Sequence, residues 1–478
     1  AYEIGVRLVG SEMCIRDSRK VNKIHFVGIG GIGMSGIAEL LINLGFNISG
    51  SDINKTEITE KLTRNGANIF LDHNASNING AEVLVYSSAV TKDNPEIIEA
   101  QKKNIPIIKR AEMLGELIAL KETSIGVSGT HGKTSTSSMI GTLLSYAKID
   151  PTMVVGGLVK NLDSNAKLGS GNLIVVEADE YDKSFLQLKP TIAVITNIEK
   201  EHMDCYEDLD DLYNSFIQFA NSVPFYGGVV ACLDSPGVQK VLKKIKRPIT
   251  TYGLSKESTF SASKISYNET KTTYSLNHNG EECIDIKLNV PGEHNVLNSL
   301  AAVAVGFELG LDLDVIADGI HSFTGVRRRF EIKGITQEIM VVDDYAHHPT
   351  EVIATLQAAR NGWNRRIISV FQPHLYTRTK EFYKEFAEAF MSSDILFVCN
   401  VYPAREKPIE GVTGKLIYNE TKSLGHKNVF YINNLENLND ELNKIIKKND
   451  MVIRVGDGTI WRYGQAYYEN LLNQVEKV

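Results

Sequence analysis

Ser124-Ile125-Gly126-Val127-Ser128-Gly129-Thr130-His131-Gly132-Lys133-Thr134-Ser135 decides how the rest of this 478-residue chain is read. Residues 124–127 are a short apolar run of β type, residues 133–146 carry a helical pattern, and a glycine-rich turn joins them. In such a strand–loop–helix unit the backbone N–H groups at the helix start face inward and can wrap a triphosphate. Lys133 adds a point charge and the Thr134 hydroxyl can hold Mg2+. Val127 stands where the full G-x-x-x-x-G-K-[ST] form has its first glycine. The alternative, an ordinary glycine-rich β–α turn, leaves the lysine and threonine unexplained. The ATP-binding candidates are therefore Gly129, Thr130, His131, Gly132, Lys133, Thr134 and Ser135.

A second loop, Gly28-Ile29-Gly30-Gly31-Ile32-Gly33, follows the apolar run 24–27 and opens another helical stretch. Asp52 falls about twenty residues on, at a strand end, which is the layout of a nucleotide-binding β-α-β unit. Alone, this loop suggests NAD and a dehydrogenase, or glycines needed only for close helix–strand packing. Beside a triphosphate loop, a nucleotide-linked substrate is the more attractive occupant.

Outward from the two loops, apolar runs alternate with helical stretches. Residues 24–27, 47–49, 68–71, 83–86 and 106–108 read as strands, and 33–44, 57–65, 95–102 and 111–119 as helices. That alternation predicts a parallel, doubly wound sheet. The pattern restarts at 124–127, continues through strands at 173–176 and 192–195, and gains antiparallel β runs between 259 and 290 before an Ala/Leu-rich helix at 293–309. A charged stretch, F-T-G-V-R-R-R-F at 323–330, reads as a hinge, and strands at 339–342, 367–370, 395–398 and 452–454 form a third α/β unit. The expected fold class is α/β in three domains: Rossmann-like at residues 21–121, P-loop ATPase-like with antiparallel additions at 122–326, and Rossmann-like again at 327–478. This division suits a chain too long for one core. Residues 1–20 read as a non-native or disordered tail, the first 18 lacking any clear period, and are given no function.

Acidic side chains number 58 and basic ones 51, a net charge of −7 that argues against a general nucleic-acid binder. Five scattered cysteines without a C-x-x-C pair argue against a disulfide framework or thiolate zinc site and fit a reducing compartment. No apolar run approaches the roughly 20 residues needed to span a bilayer, so no membrane insertion is expected and the cytoplasm is the default. A monomer or weak homodimer is expected.

Other residues carry chemistry by position. Glu177 ends the run 173–176 beside the triphosphate loop, where Mg2+ needs a carboxylate. His202, after the strand at 192–195, is a candidate second metal ligand, although a lone histidine is often structural. Asn295 and Asn298, at the start of the 293–309 helix, can cap it or pair with an adenine edge, and both readings stand. Two clusters, Asp343-Asp344-Tyr345-Ala346-His347-His348-Pro349 and Phe371-Gln372-Pro373-His374-Leu375-Tyr376-Thr377-Arg378, each follow a strand and precede a helix, so both belong on the carboxyl edge of a sheet. Carboxylate recognition by Arg378 is the natural proposal there, because no ligands recur at zinc spacing.

Together these motifs resemble the Mur ligases, the ATP-dependent amino-acid ligases of peptidoglycan synthesis, and within them the alanine-adding branch. The resemblance runs from about residue 23 to the C-terminus. Its motifs appear in order: H-F-V-G-I-G-G-I-G-M-S-G-I-A-E (25–39), G-T-H-G-K-T (129–134), E-A-D-E (177–180), T-N-I-E-K-E-H-M-D (196–204), H-N-x-x-N-x-x-A-A (294–302), D-D-Y-A-H-H-P-T-E (343–351) and F-Q-P-H (371–374). The resemblance implies ligation of L-alanine to the carboxylate of UDP-N-acetylmuramate through an acyl phosphate, with ATP and Mg2+. It implies a UDP-sugar site at Gly28, Gly30, Gly31, Gly33, Asp52, Ser87 and Ser88. Asn295, Arg329 and Asp344 would join the triphosphate loop around ATP, and Thr134, Glu177 and His202 would hold metal. Lys133, Glu177, His202 and Arg329 are the implied catalytic residues, and Tyr345, His348, His374 and Arg378 the candidates for the incoming amino acid. Domain closure is expected, to keep an acyl phosphate from water.

This chain departs from the family pattern in places. Residues 202–226 contain no lysine of the kind other members carbamylate, as expected of the alanine-adding branch. Asp72 precedes His73 where glycine is usual, Leu375 stands where arginine is frequent, and Gly456-Asp457-Gly458 replaces G-A-G-D, so contacts there are not carried over. The rival readings are the tripeptide-adding recycling ligase of the same family, an NAD-dependent dehydrogenase, and a P-loop ATPase switch.

Overall fold

The computed structural model describes residues 21–87, 89–160, 164–404 and 406–475, which form three sheets. The proposed tail at residues 1–20 and the candidate Ser88 lie outside the described residues.

The first sheet contains β1 (Lys23–Val27), β2 (Asn47–Ser51), β3 (Asn68–Phe70), β4 (Val83–Tyr86) and β5 (Ile107–Lys109), all parallel in the order β3-β2-β1-β4-β5. Central β1 has Phe26 and Val27 fully buried, because helices cover both faces of a parallel sheet. The order reverses between β1 and β4, so the loops leaving their carboxyl ends open a crevice there.

The second sheet is built from β6 (Thr123–Ser128), β7 (Thr152–Val159), β8 (Ser164–Lys167), β9 (Leu173–Glu177), β10 (Ile192–Ile195), β11 (Gly228–Cys232), β12 (Ile249–Gly253), β13 (Phe260–Asn268), β14 (Lys271–His278) and β15 (Glu281–Leu288). Their order is β15-β14-β13-β12-β11-β10-β6-β9-β7-β8. Strands β6, β7 and β9 to β12 make a parallel centre, while β13-β14-β15 pair antiparallel at one edge and β8 runs antiparallel to β7 at the other. The antiparallel edge lies where alternation placed it. Strands β7, β8, β11 and β12 were not expected: two glycines interrupt β7, β8 is the short polar S-N-A-K, and β11 and β12 are runs of five residues. The helix Glu293–Glu308 is apolar on nearly every side, and Leu300 to Val305 are fully buried, the helix lying on β11, β12 and the helix Lys133–Tyr146. Truncating Leu143 in that layer costs about 2–5 kcal/mol.

The third sheet holds β16 (Glu331–Thr336), β17 (Ile339–Asp344), β18 (Arg366–Phe371), β19 (Ile395–Cys399), β20 (Val429–Ile432) and β21 (Asp450–Val455), in the order β16-β17-β21-β18-β19-β20. All pairings are parallel except β16 with β17. The last strand in sequence, β21, thus lies between β17 and β18. That insertion sets three catalytically interesting loops side by side. No helix among the described residues is long and apolar enough to cross a membrane.

Candidate active site

Loops of the second and third units line a common cavity, and the glycine loop of the first unit meets the second through Arg110 and Asp179. In the first, the Gly30 N–H donates to Asp52 Oδ2 at 2.9 Å, and the Gly28 and Ile29 N–H groups donate to the Ser51 carbonyl. A Cβ on Gly30 would meet that carboxylate at 2.8 Å. Ser87, leaving β4, takes the other side of the crevice, its N–H on the Val27 carbonyl. Asp52 braces the loop through its Oδ2. Arg110, not singled out from the sequence, approaches the same loop: a Cβ on Gly33 would meet its Nη1 at 2.8 Å, and its Nη2 lies 3.8 Å from Asp179 of the second sheet.

The second loop leaves β6 and enters the helix Lys133–Tyr146 through Gly132, whose φ of 81° is a left-handed conformation that suits glycine. A side chain there would strike the Asn298 carboxamide at 2.7 Å. Lys133 Nζ donates to the carbonyl oxygens of Gly129 (2.7 Å) and Thr130 (3.2 Å) and to both oxygens of Glu180 (2.9 and 2.7 Å). Burial opposes the lysine's charge, but Glu180 and Asp179 outweigh it and raise its pKa. Burial pushes Glu180 up to about 8 against the pull of Lys133.

On one side of this loop the Thr134 hydroxyl donates to Glu177 at 3.1 Å, and the Gly156 N–H donates to the other carboxylate oxygen at 2.6 Å. Hydroxyl and carboxylate are the hard oxygen donors that suit Mg2+. His202 does not share this position. Its Nε2 lies 3.8 Å from Glu180, and His202, Glu180 and Glu201 offer ligand atoms that all fall within 4.8 Å of one another. The metal candidates therefore fall into two groups, Thr134 with Glu177, and His202 with Glu180 and Glu201. The reason is topological: Glu177 ends β9 on one flank of β6, and His202 follows β10 on the other.

A cavity of about 300 Å³ opens beside the loop, lined by His131, Gly132, Thr134, Ser135, Asn295, Asn298, Arg329 and Asp344 among others. It brings together candidates from four distant segments. The helix Glu293–Glu308 is capped by Gly292, so neither asparagine is its N-cap; Asn295 donates to the Pro291 carbonyl and accepts from Asn298. At the hinge, Asp344 accepts the Phe330 N–H (2.7 Å) and the Ala346 N–H (2.8 Å). Those bonds fix the segment carrying Arg329, and burial raises Asp344 to about 6. Arg329 lies 3.6 Å from Glu351.

His131 spans the central and third sheets, with Nε2 3.3 Å from Glu199 and Nδ1 3.3 Å from Glu351. Burial alone would depress it, but the two carboxylates outweigh burial and hold it at about 10. His348 packs on the His131 ring at 4.7 Å, and its Nδ1 accepts the Thr350 N–H at the start of the helix Pro349–Gly362. His348 thus caps that helix and turns toward His131. Its neighbour His347 lies near Tyr345 and His374, with ring centroids at 5.3 and 6.3 Å, and its Nε2 is 3.8 Å from Glu201. Arg378 donates to Glu201 at 2.9 Å and to His374 Nδ1 at 3.2 Å.

With this geometry in place, the chain can be compared with known proteins. Three family models match it end to end: the Mur ligase family catalytic domain at residues 23–122, the Mur ligase middle domain at 127–306, and the Mur ligase glutamate ligase domain at 328–458. The chain belongs to the Mur ligase family. It is 49% identical over 452 residues to the UDP-N-acetylmuramate–L-alanine ligase of Geotalea uraniireducens, covering 95% of this chain and 98% of that one. The crystal structure of the UDP-N-acetylmuramate–alanine ligase MurC from Thermotoga maritima superposes with a TM-score of 0.82 at 32% identity, over 95% of this chain and 99% of that one. A murein peptide ligase from Psychrobacter arcticus shares the fold, with a TM-score of 0.69 at 23% identity over 94% of this chain and 98% of that one.

Sequence reading of this Mur ligase missed Glu201, Glu351, His347 and Arg110 as cleft residues. The first three stand inside motifs already singled out, so their presence was legible and their direction was not. Arg110 stands at the start of the helix Arg110–Ile118, in no motif, and gave no signal.

Proposed function

We propose that this Mur ligase joins L-alanine to the carboxylate of UDP-N-acetylmuramate, with ATP and Mg2+. The observation that carries the reading is the cavity beside the triphosphate loop, lined by His131, Thr134, Asn295, Arg329 and Asp344 from the second and third units, with the first unit's glycine loop joined to the second through Arg110 and Asp179. The similarity to ligases named for this reaction supports it. The dehydrogenase reading leaves the Lys133–Glu180 loop without use, and the murein peptide ligase is the more distant structural relative.

On this reading, residues 21–121 hold the UDP-sugar, 122–326 the ATP, and 327–478 the amino acid. Gly28, Gly30, Gly31, Gly33, Asp52, Ser87 and Ser88 receive the nucleotide sugar, and Arg110 lies beside Gly33. Thr134 and Glu177 hold one Mg2+, and His202 with Glu180 and Glu201 a second. Bound ATP supplies the phosphoryl group that turns the muramyl carboxylate into an acyl phosphate, open to attack by the alanine amine. Lys133 and Arg329 carry the positive charge that lets two anions meet. Glu180 positions Lys133 through both carboxyl oxygens. The contacts His131–Glu351, Thr350–Glu199 and Arg378–Glu201 hold the third unit over the second, which excludes water from the reacting carboxyl. The free cysteines and the absence of a membrane-crossing helix among the described residues support a cytoplasmic setting.

The test is phosphate release with ATP and Mg2+, adding UDP-N-acetylmuramate and L-alanine singly and together, with mass analysis of the product. Release that needs both substrates, with an alanyl product, is expected. Release from ATP alone, with no new product, would sink the reading.

A further inference from the structure

Asp457 lies in the loop after β21, where this chain reads Gly456-Asp457-Gly458. Because β21 is inserted between β17 and β18, that loop emerges between the one carrying Tyr345 and the one carrying His374. The contacts agree with the topology. Asp457 Oδ2 lies 3.6 Å from His374 Nε2, and the Asp457 charge, after burial, raises the pKa of the neighbouring Tyr345 hydroxyl. The opposite nitrogen, His374 Nδ1, lies 3.2 Å from Arg378 Nη1. A guanidinium can only donate, so Nδ1 is the acceptor and the imidazole proton sits on Nε2, facing Asp457.

Cation, imidazole and anion are thus lined up across the carboxyl edge of the third sheet, with Arg378 at one end and Asp457 at the other. A free α-amino acid is a zwitterion and needs one partner of each sign. Arg378 serves the carboxylate, although Glu201 already occupies its Nη2. Glu201 is almost wholly buried among His131, His202, His347 and Arg378. Asp457 is more open, with 22% of its side chain exposed, and its ion-pair neighbour among the described residues is His374 Nε2 at 3.6 Å.

We propose that Asp457 is the anionic half of the amino-acid pocket and receives the α-ammonium group of the incoming amino acid. The inference rests on the ligase reading above and adds a binding residue to it. Arg378 and Asp457 then bind opposite ends of one small zwitterion.

The test is steady-state kinetics of the full chain and of Asp457→Asn, with each substrate varied in turn. The KM for L-alanine should rise about 10- to 100-fold, as for loss of a charge-assisted hydrogen bond, while the KM values for ATP and UDP-N-acetylmuramate stay within twofold. Inhibition by L-lactate, which keeps the carboxylate and lacks the ammonium, should change less than twofold, a selectivity that a merely structural role would not produce. An unchanged KM for L-alanine, or equal loss of L-alanine and L-lactate, overturns the assignment. If the wild-type chain forms no alanyl product, the ligase reading itself fails and this inference with it.

Discussion

The chain uses one backbone device twice and equips it differently each time. Both glycine loops leave a buried parallel strand, cross the carboxyl edge of a sheet and open a helix. Around the first, the side chains within reach are few: Asp52 braces the Gly30 N–H, and Arg110 approaches Gly33. Around the second, charge is dense: Lys133 on Glu180, Thr134 on Glu177, and His131 between Glu199 and Glu351. Backbone geometry alone makes a place for phosphate, and side chains decide whether that phosphate is held or made to react. A loop that only binds needs little beyond N–H groups and shape. A loop that must bring two anions together needs cations kept charged inside protein, and these come with buried carboxylates that compensate them.

Removing the central cation should have the largest effect. Lys133→Ala is expected to lower turnover by about 10³-fold or more, since it deletes positive charge where negative charge develops. Calorimetric titration with UDP-N-acetylmuramate should meanwhile give an affinity near wild type. A comparable loss of both would mean that the loops do not divide the labour as described.

Steric crowding of each loop should come next. Gly132→Ala forces a side chain into a left-handed conformation, at about 1–2 kcal/mol, and into Asn298, so the KM for ATP should rise about tenfold or more. Gly30→Ala displaces Asp52 at an ordinary φ, and the KM for UDP-N-acetylmuramate should rise severalfold with that for ATP unchanged. Crossed effects in the kinetics would break the assignment of one ligand to each loop.

The contrast between the loops also explains how much could be read in advance. The class of fold, the strands bearing the loops and the antiparallel edge at β13 to β15 were legible, because hydrophobic period and glycine position carry them. Strands β7, β8, β11, β12, β16 and β20 were not: glycines, polar residues or charge mask the period of most of them, and an apolar run as short as β11 carries no period of its own. In the cleft, Lys133, Thr134 and Glu177 were found because local spacing dictates their neighbours. The direction of His348 was not, because a helix cap formed within the third unit decides it. Asp457 was set aside because its motif departs from the family pattern, and its place beside His374 depends on the insertion of β21, a long-range pairing that no local pattern records.

The smallest expected effect concerns pH and the one loop whose side chain reaches across to another sheet. His131 has its pKa raised in the folded protein, from an ordinary value near 6.5 to about 10. A raised value means that its ion pairs contribute fully below the unfolded pKa, and that the contribution fades as pH rises through about 10. Glu199 and Glu351, both depressed, stay ionised throughout that window. Between pH 7 and pH 10 the wild-type melting temperature should therefore fall by a few degrees more than that of His131→Asn, which has no proton to lose there. Glu180, raised to about 8, titrates within the same window but is present in both proteins, so its effect cancels in the difference. Parallel melting curves across the range would show that His131 is neutral in the fold, and that the charge of the central loop ends at its own sheet.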